Sequence, residues 1–361
     1  MLFTTIFFYP AEVFGITKID NYSKESKKFI NTEEVVITKM NFWENMKVMK
    51  EVFSNSKNRR PNHKLEEVKP NINNFYKSDE TKFIWFGHST LLMNIDGKMI
   101  LVDPVFSNNA SPFSFMVKRF QKPVLDIEEL PNVDFILISH NHYDHLDKKT
   151  IKSFKDKKTK FLVPLGIGET LIKWGISKDR ITELNWYKSK SLDSIKFTST
   201  PAKHYSGRGL FDKDKTLWCS WVIEGEKEKI FYSGDSGYGE HFEDIGKIFG
   251  GFDLAFIENG QYDEKWPDIH MMPNETVQAA IDLKAKKFVP IHWGMFDLSL
   301  HTWSEPIENS YKIAEEKSIP IIIPKFGEIF SKETPQSFPL WWETVKNEEK
   351  KQTEVTLVTG D

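Results

Sequence analysis

Short apolar runs separated by turn residues dominate the chain from Thr81 onward. Leu91–Ile95 and Met99–Val102 flank Asp96-Gly97, and this arrangement predicts a β-hairpin with a tight turn. Other runs rich in β-branched and aromatic residues also predict strands. These are Phe83–Phe86, Phe135–Ser139, Phe161–Val163, Ile195–Ser199, Leu217–Ile223, Ile230–Ser233, Leu254–Ile257 and Phe288–Ile291.

Apolar residues at helical spacing predict helices between some of these strands. The predicted helices are Phe42–Phe53, Asp147–Phe154 and Asn274–Lys284. Asp147 and Asn274 are the predicted N-caps, and Val277, Ala280 and Ile281 form the predicted apolar face of the third helix. Many strands first, and then strands alternating with helices, are typical of one α/β domain with stacked sheets and outer helices.

Composition narrows the class of protein. The 361 residues are 39% hydrophobic and 28% charged, which is enough to bury a core. A formal net charge of −3 argues against a generally basic protein that coats nucleic acid, so we expect no nucleic-acid partner. Cys219 is the single cysteine, which excludes an internal disulfide and a cysteine-based zinc site.

The N-terminal run Met1–Tyr9 is apolar but much shorter than the roughly 20 residues that cross a bilayer. It carries no signal-peptide pattern, and we interpret it as an N-terminal strand or strap. A shallow membrane contact is the alternative interpretation. We therefore expect a cytoplasmic protein, with peripheral membrane association left open.

The strongest chemical signal is the cluster His140, His142, Asp144 and His145 at the end of a predicted strand. Imidazole and carboxylate are good ligands for Zn²⁺ and iron. A polar loop with solvated histidines is the alternative. So many ligand types within six positions favour a metal site, because they are costly to gather without an ion.

Three more potential ligands each follow a predicted strand: His204, Asp235 and His292. A single histidine after a strand is more often structural than a ligand. Their shared placement favours a common site, because sites in layered α/β folds collect at strand ends.

At these positions the chain resembles the metallo-β-lactamase superfamily of dinuclear metallohydrolases. Further segments are similar, in order, to the branch that contains N-acyl-phosphatidylethanolamine-hydrolysing phospholipase D, over roughly residues 80–310. These segments are Trp85-x-Gly87-His88-Ser89-Thr90, Leu101-x-Asp103-Pro104, Leu137–Asp147, Val163-Pro164-Leu165-Gly166, Leu217-Trp218, Ser233-Gly234-Asp235-Ser236-Gly237-Tyr238 and Ile291-His292-Trp293-Gly294.

The resemblance implies an αββα sandwich of two mixed β-sheets flanked by helices. It implies a hydrolase domain at residues 81–345, preceded by an extension at 1–80 that packs on the core and followed by a charged tail at 346–361. It also implies two metal ions, Zn²⁺ with Fe or Mn as alternatives, and a hydroxide between them as nucleophile. In this assignment His140, His142 and His204 hold one ion, Asp144, His145 and His292 hold the other, and Asp235 bridges them.

Other residues near these segments have weaker predicted roles. Asp144 and His270 are the predicted catalytic residues, with His270 as an oxyanion donor, a residue behind the ligands or a helix-entry histidine. Asp103 is predicted to orient a metal-bound imidazole, and His88 to form a structural hydrogen bond. Arg208 could meet an anionic substrate or lie in a solvated loop. The segment 258–266 departs from the branch pattern, which puts the substrate in doubt more than the metal chemistry.

Three functions remain open on the sequence. The first is a phosphodiesterase acting on N-acyl-phosphatidylethanolamine or a related phospholipid. The second is the same metal site acting on a lactone, another ester, an amide or a cyclic phosphodiester, because activated water attacks all of these. The third is metal binding without turnover, or iron redox chemistry. The partner is then a small molecule or a phospholipid, and the oligomeric state is left open.

Overall fold

The computed structural model describes residues 20–35, 42–53, 58–336 and 340–348, so the run Met1–Tyr9 lies outside the described residues. The strands are β1 Tyr22–Ser23, β2 Lys28–Phe29, β3 Lys82–Trp85, β4 Leu91–Ile95, β5 Lys98–Val102, β6 Phe135–Leu137, β7 Lys160–Pro164, β8 Ile181–Leu184, β9 Ser189–Leu192, β10 Ile195–Thr200, β11 Ser220–Glu224, β12 Lys229–Tyr232, β13 Leu254–Glu258, β14 Phe288–Ile291 and β15 Ile329–Phe330. The helices are α1 Phe42–Phe53, α2 Ile72–Tyr76, α3 Lys148–Lys152, α4 Gly168–Lys173, α5 His241–Phe249, α6 Pro273–Asp282 and α7 Glu305–Glu316.

Two mixed sheets form the centre of the molecule. One has seven strands in the order β15-β3-β4-β5-β6-β7-β8, and the other has six in the order β14-β13-β12-β11-β10-β9. In the first sheet, β5 to β8 run parallel to one another and the strands from β15 to β5 are antiparallel. In the second sheet, β12, β13 and β14 are parallel and the rest antiparallel.

Alternation along the strands divides the buried side chains between two layers. Phe83 and Trp85 belong to the large core between the sheets, whereas Ile84 and Phe86 belong to a second core on the outer face of the seven-stranded sheet. This is the period of two that a strand buried on both faces requires. Ile151 of α3 and Leu171 of α4 pack into the outer core, so helices cover that face.

Helices also cover the six-stranded sheet. Phe242 and Ile245 of α5, Val277 of α6 and Ile307 of α7 are buried and belong to the same core as that sheet. Helices therefore lie on both sheets, and the predicted αββα sandwich with two mixed sheets is confirmed.

Local predictions hold for most of the central strands and need correction in α6 and β11. Helix α6 begins at Pro273, with Met272 as N-cap in place of Asn274. Ile281 is 39% exposed, so it does not belong to the buried face. The predicted strand 217–223 enters the ladder only at Ser220, because the backbone N–H of Leu217 donates to Leu165 of the loop after β7.

Residues before the two large sheets also contact later parts of the chain. Val68 donates its backbone N–H to Phe326, and Phe29 donates to Asp214. The domain boundaries at residues 80 and 345 stay predictions. In the described part of the chain, no helix combines the length and the apolar character that crossing a bilayer demands.

Candidate metal centre

The predicted ligands lie at one edge of the two sheets. His140 follows β6, His204 follows β10, Asp235 follows β12 and His292 directly follows β14. Because β12 and β14 are both parallel to β13, and β10 runs in the same direction, their carboxyl ends meet at this edge. The loop after β6 of the other sheet faces them, so the structure brings all seven predicted ligands together.

The first group of ligand atoms contains three imidazoles. His142 Nδ1 lies 2.9 Å from His140 Nε2 and 3.2 Å from His204 Nε2. One ligand atom from each of these residues and one from Asp235 lie within 4.8 Å of one another. Three imidazole nitrogens directed at one point cannot all hydrogen-bond to each other, and this arrangement suits a cation at their centre.

The second group is formed around Asp144. Its Oδ2 lies 3.5 Å from both His145 Nε2 and His292 Nε2. The same oxygen is 2.9 Å from His88 Nε2, which places His88 in this group as well. A mixed set of imidazole and carboxylate ligands suits Zn²⁺, Fe or Mn.

Asp235 lies between the two groups with one oxygen facing each. Its Oδ1 is 3.0 Å from His145 Nε2 and 3.2 Å from His292 Nε2. Its Oδ2 is 3.6 Å from His140 Nε2 and 3.7 Å from His204 Nε2. A single buried carboxylate is therefore shared by both clusters.

Burial sets the protonation of the first group. It lowers the pKa of His140 and of His204 well below the usual value, and it lowers the pKa of His142 to about 4. These rings are therefore neutral at pH 7, which is the form that binds a metal.

The second group is held by opposite charges. Burial lowers the pKa of His292, but the carboxylates of Asp235 and Asp144 outweigh this and raise it to about 10. Burial raises the pKa of Asp235, yet His145 and His292 hold it well below its usual range. A divalent cation would supply the positive charge that this carboxylate-rich pocket attracts.

The hydrogen bonding of three buried atoms also favours a metal site. His145 Nε2, His292 Nε2 and Asp235 Oδ1 are buried and form no hydrogen bond of acceptable geometry with any described residue. Buried polar atoms without partners are rare in folded proteins, and an ion is one of the usual reasons. The residues present therefore fit a metal at this site.

Asp103 supports the ligand loop from behind. It accepts from His145 Nδ1 at 2.7 Å, from the Ser139 backbone N–H at 2.7 Å and from the Tyr232 hydroxyl at 2.6 Å. The bond to His145 directs the Nε2 atom of that ring toward Asp235, as the sequence predicts for a strand-end carboxylate.

His88 orients Asp144 through the hydrogen bond of 2.9 Å described above. Burial and His292 lower the pKa of His88 to about 3, so the ring is neutral and its Nε2–H can donate to the carboxylate. The backbones are coupled as well, because the His292 N–H donates to the His88 carbonyl at 2.8 Å. Both residues have positive φ, a strained conformation that this pairing holds in place.

Sequence reasoning missed Glu258 as a polar partner of the site. Glu258 is the last residue of β13 and fully buried; its Oε2 accepts from His270 Nδ1 at 2.8 Å. His270 is half-buried beside the centre, and its ring stacks on that of His292 with centroids 5.0 Å apart. The apolar run before Glu258 marks the strand, but a buried glutamate there gives no recognisable signal.

Arg208 is directed at the protein, which corrects the idea that it meets an anionic substrate. Its Nη1 donates to the carbonyls of Asn141 at 2.8 Å and Leu146 at 2.7 Å. Its guanidinium lies 3.8 Å from the centroid of the Tyr143 ring. Arg208 thus fastens the loop that carries four predicted ligands.

An open cavity of about 520 Å³ leads to the centre. Its lining includes four predicted ligands, His142, Asp144, Asp235 and His292, together with His270. A larger cavity of about 820 Å³ lies at the opposite edge, where β6 and β7 begin, and it has no predicted ligand in its lining. The smaller cavity is therefore the route by which a substrate would reach the ligands.

Comparison with known proteins identifies the family of this chain. A family model described as a beta-lactamase superfamily domain matches residues 98–293. An uncharacterized protein of Mycobacterium tuberculosis is 39% identical over 290 residues, which is 78% of this chain and 77% of that protein. N-acyl-phosphatidylethanolamine-hydrolyzing phospholipase D 1 of Caenorhabditis elegans is 36% identical over 227 residues, which is 59% of this chain and 64% of that protein.

A solved structure shows the same fold. Igni18, a metallo hydrolase from the archaeon Ignicoccus hospitalis, superposes with a TM-score of 0.54 at 20% identity, over 70% of this chain and 98% of that one. Its likeness agrees with the two mixed sheets described above. Sequence match, fold and the gathered His/Asp side chains lead to one assignment: this chain belongs to the metallo-β-lactamase superfamily of metal-dependent hydrolases.

Proposed function

We propose that this protein is a phosphodiesterase that holds two divalent cations, Zn²⁺ in the first instance, and hydrolyses N-acyl-phosphatidylethanolamine or a related phospholipid. The observation that carries the dinuclear proposal is Asp235, whose two oxygens each face a separate group of imidazoles. A carboxylate shared in this way suits two ions a few ångströms apart.

The proposed ligands follow the two groups. His140, His142 and His204 would hold one ion; Asp144, His145 and His292 would hold the other, with Asp235 shared. When bound, the two cations would supply Lewis-acid activation of water and neutralise charge that develops on the phosphoryl oxygens.

We assign catalytic roles to Asp144 and His270, which both line the cavity. The Asp144 carboxylate would accept a hydrogen bond from the attacking water and hold it in line with the phosphorus atom. Glu258 fixes the His270 ring through Nδ1. As an imidazolium paired with this carboxylate, His270 would still have its Nε2–H to donate to a phosphoryl or leaving-group oxygen.

The phospholipid substrate is supported by the similarity to the C. elegans phospholipase D and by the lining of the cavity. Lys213 and Lys265 stand in this lining with the apolar residues Trp266, Ile269 and Leu298. Cations suit a phosphate group, and apolar side chains suit an acyl chain.

Apolar residues outside the cavity support a contact with a lipid surface. Leu210 and Phe211 are 91% and 86% exposed and lie between Tyr205 and Lys213, which line the cavity. Phe113 and Phe115 are also exposed, and Ala110 of their loop reaches the same cavity. Ser114 of one loop and Arg208 of the other line a depression that also contains Lys148, Lys149 and Lys152. The charge of these lysines is complementary to anionic headgroups.

Metal analysis and a substrate panel test this proposal. We expect two equivalents of metal per chain, and release of phosphatidic acid and an N-acylethanolamine from N-acyl-phosphatidylethanolamine. His142→Ala is expected to abolish hydrolysis, whereas Tyr76→Ser, remote from the cavity, is expected to leave it unchanged. Full activity after chelation would overturn the metal assignment. Turnover of lactones or cyclic phosphodiesters without turnover of phospholipids would support the alternative substrate class instead.

A further inference from the structure

Residues 20–35, which precede the two large sheets, pass over the loops that surround His204. We name this segment the N-terminal strap; it does not include the run Met1–Tyr9. Its Phe29 is buried in the core, and the Phe29 backbone N–H donates to the Asp214 carbonyl at 2.8 Å. Further along, Glu33 lies 3.9 Å from His241 Nδ1. The strap is thus attached on both sides of Asn31.

Asn31 makes three hydrogen bonds at the centre of the strap. Its Nδ2 donates to the His204 carbonyl at 2.8 Å, and its Oδ1 accepts from the His204 backbone N–H at 3.1 Å. The same oxygen accepts from Trp218 Nε1 at 3.1 Å. One side-chain amide therefore satisfies both backbone polar groups of a proposed metal ligand.

His204 needs such a partner because it lies beyond the end of its strand. Strand β10 ends at Thr200, so no strand of the described residues pairs with the His204 backbone. The ring itself is fixed separately, by a hydrogen bond of 3.0 Å between Nδ1 and the Ile269 carbonyl. Asn31 thus fixes the backbone, Ile269 fixes the ring, and Nε2 faces His142 and Asp235.

We propose that Asn31 is a positioning residue for the metal ion assigned to His140, His142 and His204. The N-terminal strap is then part of the metal centre. This inference rests on the proposed function, because it assumes that His204 is a ligand. Residues that orient a ligand without touching the metal commonly change metal affinity by roughly 10- to 100-fold when they are replaced. If the strap had a merely structural role, replacing Asn31 would lower the stability of the protein and leave its metal affinity unaltered.

The test measures metal binding directly, without reference to turnover. Zinc dissociation constants are determined by competition with a chromophoric chelator for the full-length wild type, Asn31→Ala and Asn31→Asp. Wild-type protein is expected to bind two equivalents. Asn31→Ala is expected to keep one tight equivalent and to bind the other roughly 10- to 100-fold more weakly. The visible spectrum of the Co²⁺-loaded variant is expected to lose or shift the bands of one site.

Asn21→Ala is the matched control, because Asn21 lies in the same strap and its amide donates to Asn185 at 2.7 Å, away from the proposed ligands. It is expected to bind both ions as the wild type does. If Asn31→Ala does not fold, Asn31→Asp decides, since it keeps the acceptor oxygen and loses the donor to His204. Two tight equivalents in both Asn31 variants would overturn this inference alone; wild-type protein that binds no metal would overturn the proposed function with it.

Discussion

The Asp103 carboxylate accepts a hydrogen bond of 2.7 Å from His145 Nδ1, and both side chains are fully buried. The opposite nitrogen of the ring then faces Asp235 at 3.0 Å. A carboxylate behind an imidazole fixes its tautomer and increases its basicity. The affinity of the second group for a metal ion is therefore expected to depend on Asp103, which lies outside that group.

Asp103→Asn keeps the size of the side chain and removes its charge. We expect roughly 10- to 100-fold weaker binding of one metal equivalent, because His145 loses the anion that increases its basicity. Chelator competition measures this change. The loss is expected to fall on the equivalent that we propose is held by Asp144, His145 and His292. An unchanged affinity for both ions would contradict the role given to Asp103.

Arg208→Ala removes the guanidinium that holds the carbonyls of Asn141 and Leu146. Hydrogen bonds from a charged donor contribute about 1.5–3 kcal/mol to stability, and we expect a loss of that size in urea unfolding together with weaker metal binding. Arg208→Lys is expected to rescue little, since an ammonium lacks the planar fork.

Arg180→Ala is the control for this pair of effects. Arg180 donates to the carbonyls of Phe154 at 3.0 Å and Lys155 at 2.7 Å, far from the ligand loop. We expect a similar loss of stability and unchanged metal affinity. Equal metal affinities in the two alanine variants would show that Arg208 only stabilises the fold.

Gly234, directly before Asp235, has a backbone φ of +60° and no room for a side chain. A Cβ there would lie 2.7 Å from Ser139 Cβ and 2.9 Å from the Cys219 carbonyl. We expect Gly234→Ala to displace Asp235, to weaken binding of both ions and to cost more than about 2 kcal/mol of stability. Metal content and urea unfolding are the measurements.

Gly97 is the control that distinguishes backbone strain from steric crowding. It also has positive φ (+74), but no atom of the described residues lies within 4 Å of the position that a Cβ would take there. Gly97→Ala is expected to cost about 1 kcal/mol and to leave metal binding intact. Equal effects of the two substitutions on metal content would contradict the close-packing explanation.

The sequence places the predicted ligands at one edge because each follows a clear strand. His292 directly follows the apolar strand Phe288–Ile291, and Asp235 follows another, so the α/β pattern alone places them at one edge. Strand β9, Ser189–Leu192, was missed because it is a polar edge strand with little apolar pattern to recognise.

Residues that act through long-range contacts could not be found in this way. Asn31 lies 173 positions from His204, and nothing in a polar segment marks the amide that reaches a proposed ligand. Glu258 ends an apolar strand in a fully buried position, which hydrophobic patterning does not predict for a carboxylate. Such residues are defined by the packing of the two sheets.

The exposed pair Leu210 and Phe211 gives the test of the lipid-surface proposal. Replacing both by serine removes apolar area that would enter the headgroup region, and burial of each such side chain contributes about 1.5–3 kcal/mol. We expect the double variant to bind vesicles of anionic phospholipid at least about tenfold more weakly in a sedimentation assay. KM is expected to rise for vesicular substrate and to stay constant for a short-chain, monomeric one, because the metal centre is untouched.

Tyr76→Ser, at a side chain 49% exposed and outside the cavity lining, is the control and should bind vesicles like the wild type. Unchanged vesicle binding by the double variant would mean that these loops do not contact lipid.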